Sequence, residues 1–390
     1  MRVPPAPDYY VRPMTQADVI GVERLTSEGF YDLDVRTHRA HLPEPTPRSP
    51  EKSVNWQIRV RHMVEHDPGG CFVAVLHATL GGDLLATTVR GPYGESVPGS
   101  VLRVGGTAYV EAAQACGLHL TAEDARRPEH ASSYGVGEFV AAAVDAGADK
   151  VGVGLGGSGT NDAGAGLLAA LGATSTPAAA LEGGPATLAT LEAVDVTAAR
   201  ERVAGVELVA ASDVDNPLLG LIGATNAYGP QKGLPDDRLH AVDAALERLA
   251  VAADRRLALA KGAGAAGGLG YALLLLGARR EPGIALVADA VGLHERARRA
   301  DLVVTGEGAF DFSSRSGKVP YGVAQVAAEA LRPCIALAGK VLVGAREMRA
   351  LGIESAYAVA DLVGEQASFA DPAGSLAALA ERTARTWSRM

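Results

Sequence analysis

An α/β fold, with parallel strands and ligands held beyond their carboxyl ends, is what this 390-residue sequence predicts. Three observations carry the prediction. Short, wholly apolar runs end at glycine, as buried parallel strands do. Stretches with small residues and leucines at helical spacing lie between them. Loops of glycine and small polar residues join the two. The length allows two or three domains, since single cores rarely grow past ~250–300 residues.

Taken in order, residues 1–75 are rich in Arg and His, carry Trp56, Phe30 and Tyr31, and include the proline-rich loop LPEPTPRSPE at 42–51. From about residue 77 the chain turns to Gly, Ala, Val and Leu. KVGVG (150–154) reads as a strand and AGAGLLAALGA (163–173) as the helix after it. VELVAA (206–211) is a second strand, and YALLLLGA (271–278) an apolar helix behind a glycine-rich turn. DLVVTG (301–306) and CIALAG (334–339) read as buried parallel strands, each ending at its glycine, and SLAALAERTARTWSR (375–389) as an amphipathic helix.

Composition removes several function classes. Hydrophobic residues make up 48% and charged residues 21%, the balance of a globular protein with a filled core. With a net charge of −9 and no basic stripe interleaved with aromatics, neither nucleic acid nor an anionic membrane is an expected partner. Cys71, Cys116 and Cys334 lie far apart without metal or CxxC spacing, which suits buried thiols in a reducing compartment. MRVPPAPDYY has no basic-then-apolar leader and no apolar run is long enough to span a bilayer, so the expectation is a cytoplasmic protein.

Four loops carry candidate chemistry. GLGGSGTNDAGAG (154–166) opens with G-x-G-x-x-G, yet no second strand with an acidic end follows at ~20 residues, as a dinucleotide site requires, and no G-K-[ST] makes it a P-loop. Its informative part is Ser158, Thr160, Asn161 and Asp162, at a helix start where free N–H groups bind anions; capping by Asp162 is the competing reading. SDVDNPLLG (212–220) sets Asp213 and Asp215 after a strand, the place for a base or a hard-cation ligand, or else for an Asx-turn. Lys232, in YGPQKG, supplies a cation for a phosphate or carboxylate. KGAGAAGGLG (261–270) is a second glycine-rich turn. TGEGAFD (305–311) places Glu307 and Asp311 at a strand terminus, with Lys318 shortly after. Each could be an ordinary connection; four together suggest a site for several negative charges. His62, Glu65 and His66 show an H-x-x-E-H zinc spacing, but without a clear third ligand they read as a chance match.

From about His77 onward the chain resembles the bacterial glycerate kinases of the first type. VGLGGSGTNDAGAGLLAALGA, SDVDNPLLG, YGPQKG, GAGAAGGLG, ADLVVTGEGAFD and GKVPYGVA occur in the family's order, preceded by RGPYGE, GGTAYVEAAQACGL and SSYGVGE. Gly159 stands where the family often has Ala, and Ala163 where it often has Gly. The resemblance implies transfer of the ATP γ-phosphoryl group to a hydroxyl of D-glycerate with Mg²⁺, usually yielding 2-phosphoglycerate. It implies a Rossmann-like α/β domain plus a second α/β domain. It assigns Gly156, Gly157, Ser158, Thr160, Asn161, Asp162, Asn216, Gly267, Gly268, Gly306, Glu307, Asp311 and Lys318 to substrate and nucleotide, and Asp213, Asp215 and Lys232 to catalysis, with Asp215 as the candidate metal ligand. Base and metal roles of the two acids stay open, as does oligomeric state, a homodimer being one option.

The front of the chain departs from this pattern. The family's APDSFKG-like strand end and DGGEGT-like loop are not evident. YYVRPMTQADVIGVERLTSEGF and WQIRVRHMVEHDPGGCFVAV resemble the opening β-α-α-β segment of a GNAT-family N-acetyltransferase, although no coenzyme loop follows. The expected organisation is therefore 1–76 as that truncated segment, 77–285 as the kinase middle domain and 286–390 as the C-terminal part of the Rossmann-like domain. Two functional expectations follow: a glycerate kinase, impaired if the lost loops matter, or a catalytically degenerate kinase-like binding or interaction protein.

Overall fold

A computed structural model describes residues 72–311 and 319–388. These fall into two compact units, 72–283 and 284–388.

The first unit is built on β1 (Asp83–Arg90), β2 (Ser96–Val104), β3 (Thr107–Glu111), β4 (Lys150–Gly154), β5 (Thr174–Thr176), β6 (Ala193–Asp195), β7 (Glu207–Ala211) and β8 (Arg279–Glu281). Six of them form one mixed sheet in the order β1-β2-β3-β4-β7-β8, while β5 and β6 pair separately as an antiparallel ribbon. β1, β2 and β3 run antiparallel, and the two-residue Gly105-Gly106 connection between β2 and β3 is of the type that closes tight hairpins. Within that sheet the β3–β4, β4–β7 and β7–β8 pairings are all parallel, so helices must carry the chain back between strands. β4 is buried from Val151 to Gly154, as its unbroken apolar run required. Helix Tyr134–Asp145 covers the sheet with Val136, Phe139, Val140 and Ala143, a stripe at i, i+3, i+4 and i+7. Burying each of the larger of these side chains contributes ~1.5–3 kcal/mol.

The second unit carries three parallel strands, β9 (Val303–Phe310), β10 (Cys334–Val341) and β11 (Ser355–Ala358), in the order β11-β10-β9. Helix Val319–Glu329 crosses from β9 to β10 and buries Val323, Ala324, Val326 and Ala327. Helix Pro372–Trp387 begins where the Asp371 carboxylate accepts the Gly374 N–H at 3.0 Å. Its buried stripe is Leu376, Leu379, Ala380, Thr383 and Ala384.

The mixed and parallel α/β architecture agrees with the sequence expectation, with two corrections. β9 and β10 do not stop at Gly306 and Gly339: they run on to Phe310 and Val341, because Ala309–Lys340 and Phe310–Val341 continue the pairing. The closing strand expected over the CFVAV stretch is instead the start of helix Phe72–Leu80, which buries Val73 and Leu76. Its first N–H groups, at Phe72 and Val73, donate to the Glu111 carboxylate at 3.2 and 3.3 Å, a cap 39 and 38 residues away in sequence. The rest of the acetyltransferase-like stretch, the 42–51 loop and the His62, Glu65, His66 trio lie outside the described residues.

Candidate functional site

Because β3, β4, β7 and β8 are parallel, their carboxyl ends share one edge of the sheet. Loops 155–164 and 212–217 leave from that edge, where open α/β sheets hold their ligands.

The first loop has an exposed crest and a buried base. Gly156 and Gly157 are exposed, and their backbone N–H groups donate to no described residue. The flanks are pinned: Leu118 N–H donates to Gly157 O at 2.9 Å and Gly159 N–H to Cys116 O at 2.6 Å. Beneath the crest, Asp162 is fully buried and accepts four hydrogen bonds. They come from Ser133 N–H and Ser133 Oγ (both 2.8 Å), Gly164 N–H (3.1 Å) and Gly166 N–H (3.2 Å). The two glycine amides lie at the start of helix Ala165–Ala170, where such bonds are the work of a capping residue, and Ser133 directly precedes helix Tyr134–Asp145. Burial pushes the Asp162 pKa up, and the four donors oppose that change.

Lys232 approaches the same base from the turn Pro230–Lys232. It is buried, and its ammonium donates to Thr160 O at 2.6 Å and Ser158 Oγ at 3.2 Å. Burial lowers its pKa to about 8, against the pull of Cys116 and Asp162. Burial likewise pushes the Cys116 thiol up to about 12. Asn161 donates to Thr225 Oγ1 at 3.0 Å while its own Oδ1 is buried without a partner. The Thr160 hydroxyl lies beside the Cys116 thiol and makes no conventional hydrogen bond.

The second glycine-rich turn packs against the first. Ala163 N–H donates to Gly267 O at 2.9 Å. A Cβ on Gly267 would collide with Thr160 O, and one on Gly268 with Ala163 Cα. Both glycines have positive φ, +68° and +97°. The seam between the two loops therefore admits only glycine at these positions.

The acidic loop is arranged differently. Asp213 is exposed and its Oδ1 accepts the Gly283 N–H at 2.9 Å. Asp215, also exposed, is bracketed by Arg280 at 2.7 Å and Lys261 at 3.6 Å. Asn216 is tied down, accepting from Tyr228 OH at 2.8 Å and donating to Ile222 O at 2.6 Å.

The structure thus brings Gly156 to Asp162, Asp213 to Asn216, Lys232, Gly267 and Gly268 together in the first unit. Gly306, Glu307 and Asp311 belong to the second: Gly306 and Glu307 lie inside β9 and Asp311 directly follows it. Lys318 is outside the described residues. Among the described residues no three His, Cys, Asp or Glu side chains are grouped to hold a metal ion, and no helix is long and apolar enough to cross a membrane. Sequence reasoning missed Ser133, Thr225, Lys261 and Arg280. Ser133 and Lys261 lie inside the quoted motifs SSYGVGE and KGAGAAGGLG without having been given a role; Thr225 and Arg280 carry no local signal.

The family model described as the glycerate kinase family matches residues 51–388, starting ahead of His77. A glycerate kinase from Bacillus subtilis (strain 168) is 38% identical over 317 residues, 79% of this chain and 83% of that protein. A glycerate 2-kinase from Escherichia coli (strain K12) is 38% identical over 304 residues, 76% of this chain and 80% of its own length. Among solved structures, a crystal structure described as glycerate kinase 2 from Salmonella typhimurium LT2 is 33% identical. It superposes with a TM-score of 0.68, covering 80% of this chain and 85% of that one. With the ordered motifs and the match over most of its length, this chain belongs to the glycerate kinase family.

Proposed function

We propose that this protein is an ATP-dependent glycerate kinase that phosphorylates D-glycerate, with 2-phosphoglycerate as the expected product. The observation that carries this reading is the family match running unbroken through both units. The chemistry asks for little covalent participation from the protein: positioning and charge neutralisation dominate phosphoryl transfer.

The exposed N–H groups of Gly156 and Gly157, at the carboxyl end of β4, suit an anionic oxygen. Ser158 to Asp162 and Lys232 hold that crest in shape, and Gly267 and Gly268 close the seam behind it. Asp213, which accepts the Gly283 N–H, would take the proton of the glycerate hydroxyl as its oxygen bonds to the γ-phosphorus and the bond to the ADP oxygen breaks. When present, Mg²⁺ supplies charge neutralisation between the phosphates. Hard, slowly dehydrating Mg²⁺ is commonly held by substrate phosphates with one or two carboxylates. Asp215 faces two cations, which lower its affinity for a divalent ion, and the choice between Asp213 and Asp215 as metal contact is left to the kinetics of their variants. Gly306, Glu307, Asp311 and Lys318 are proposed for the nucleotide on the resemblance alone.

A coupled assay of the full chain with D-glycerate, ATP and Mg²⁺ tests the reading, with turnover to 2-phosphoglycerate expected. Residues 1–50 lie outside the family match, which favours a second reading in which catalysis is lost and binding kept. Absent turnover with nucleotide still bound would support that alternative, and recovery on replacing residues 1–76 by a family-type N-terminus would locate the defect.

A further inference from the structure

Arg279 and Arg280 are neighbours on β8 whose charges are handled in opposite ways. Arg279 is saturated with acid. It reaches Glu207 through Nε at 2.8 Å and through a second guanidinium nitrogen at 2.7 Å, and it also pairs with Glu281. Arg280, one residue on, has a single acidic partner among the described residues, Asp215, and shares it with Lys261. Two cations on one carboxylate leave this trio one positive charge in excess. The Arg280 Nε–H, moreover, is buried and has no hydrogen-bond partner among the described residues.

The arrangement is built rather than incidental. Gly262, at φ +80°, lies against the Arg280 side chain so closely that a Cβ there would overlap its Nε and Cδ. Arg280 pairs in register with Ala210 of β7, and Asp215 lies in the loop that leaves the carboxyl end of that strand. The side chain is therefore held beside the acidic loop at the ligand-facing edge of the sheet, only 22% exposed, while Lys261 is 79% exposed. A guanidinium offers five donors in a rigid fork matched to carboxylate and phosphate, and Asp215 engages one arm of it.

We infer that Arg280 and Lys261 form an anion-binding pair that takes a carboxylate or phosphate group of a substrate, with Asp215 as the residue that positions them. The inference rests on the glycerate kinase reading for the identity of the substrates, D-glycerate and ATP. Both present the shared chemistry, a flat or tetrahedral set of anionic oxygens, so the measurement must separate them.

Calorimetric titration of the full-length protein with D-glycerate and, separately, with MgATP does so, comparing the native chain with Arg280→Gln and Lys261→Gln. Arg280→Gln is expected to weaken one of the two ligands by roughly tenfold and leave the other within about twofold. Lys261→Gln, at an exposed position, is expected to weaken the same ligand by about two- to threefold, an effect that shrinks as salt is raised. Loss of D-glycerate affinity identifies the group as the carboxylate, and loss of MgATP affinity as a phosphate. Unchanged melting temperatures confirm that neither variant acts through folding. Equal affinities in all three proteins overturn the pair as a binding site even if the enzyme turns over normally, and so does failure of the native chain to bind either ligand. A tenfold binding difference in a chain that never phosphorylates glycerate would instead remove the functional reading and leave the anion pair standing.

Discussion

Asp162 and Asp215 both sit in loops at the carboxyl edge of one sheet, yet the fold uses them in opposite ways. Asp162 is fully buried with four donors on its carboxylate, all from within the protein. Asp215 is 62% exposed and, among the described residues, is met only by side chains of opposite charge. The first arrangement spends a carboxylate on shape: helix start, serine and glycine loop are locked together. The second leaves charge where a ligand can compete for it. A residue's type and its place at a strand end do not by themselves separate these roles; the number and origin of its partners do.

The largest expected effect breaks the buried side. Asp162→Ala would orphan four buried donors, each worth about 1–3 kcal/mol when left unpaired, with partial relaxation reducing the sum. A loss of about 3–5 kcal/mol in urea unfolding is expected, and Asp162→Asn, which keeps one acceptor oxygen, should lose less. A cost below ~1 kcal/mol for the alanine variant would mean that the loop is held by something else.

Lys232 extends the same test to pH. Its folded pKa lies at about 8, below the ordinary 10.5, so the buried ammonium is disfavoured in the folded state. Between these values the unfolded chain holds the proton and the folded one has released it, so this group makes stability rise with pH. The rise begins near pH 8 and is complete near the unfolded value. It totals about 3 kcal/mol, at ~1.36 kcal/mol for every pH unit between the folded and unfolded pKa. Cys116, whose thiol is held protonated up to about 12, works the other way above its ordinary value of 9.0. The measurement is therefore the difference between the native protein and Lys232→Met, in which the Cys116 contribution largely cancels. A difference that stays flat across about pH 8–10 would show Lys232 to be solvated rather than clamped onto Ser158 and Thr160.

On the exposed side the readout is rate, not stability. Asp213→Asn and Asp215→Asn should each leave unfolding within ~0.5 kcal/mol of the native value, as surface changes commonly do. Asp213→Asn should cost at least about tenfold in kcat if it takes the hydroxyl proton. Asp215→Asn should act mainly on KM, through Arg280 and Lys261. Full activity in both variants would remove the acidic loop from the site.

Much of this organisation is legible locally. KVGVG followed by a glycine loop and a small-residue helix can be little else than a strand, a turn and a helix, and the structure has β4 and helix Ala165–Ala170 there. What escapes is non-local. Lys232 reaches back 74 and 72 residues to Ser158 and Thr160, and Asp162 reaches 29 residues to Ser133. No spacing rule carries such distances. FVAV has the composition of a strand, yet Glu111 caps it as a helix from 39 residues away. Glycine commonly punctuates, which ends DLVVTG too early, whereas the partner strand β10 carries the pairing past it. Glycine means a turn at Gly157, and at Gly267 and Gly268 a close approach of two backbones, a difference only the packing reveals.

Ala163 offers the finest test of how tightly the buried side is set. It has φ +56° and is completely buried at the seam where Gly268 approaches, in a place where the family often has glycine. Holding an alanine in the left-handed region costs roughly 1–2 kcal/mol, which glycine would relieve. Against this stand the extra freedom of glycine in the unfolded chain, about 0.4–1 kcal/mol, and the loss of one buried methyl, about 0.8 kcal/mol. The terms nearly balance, so Ala163→Gly is expected to change stability by less than about 1 kcal/mol in either direction. The informative contrast is Ala163→Val, whose branched side chain tolerates positive φ still less and has no room beside Gly268. A loss of several kcal/mol for valine beside a near-zero change for glycine would locate the constraint in the backbone. Similar small losses for both would show that the seam yields, and that the rigidity assigned to this side of the site resides in Asp162 alone.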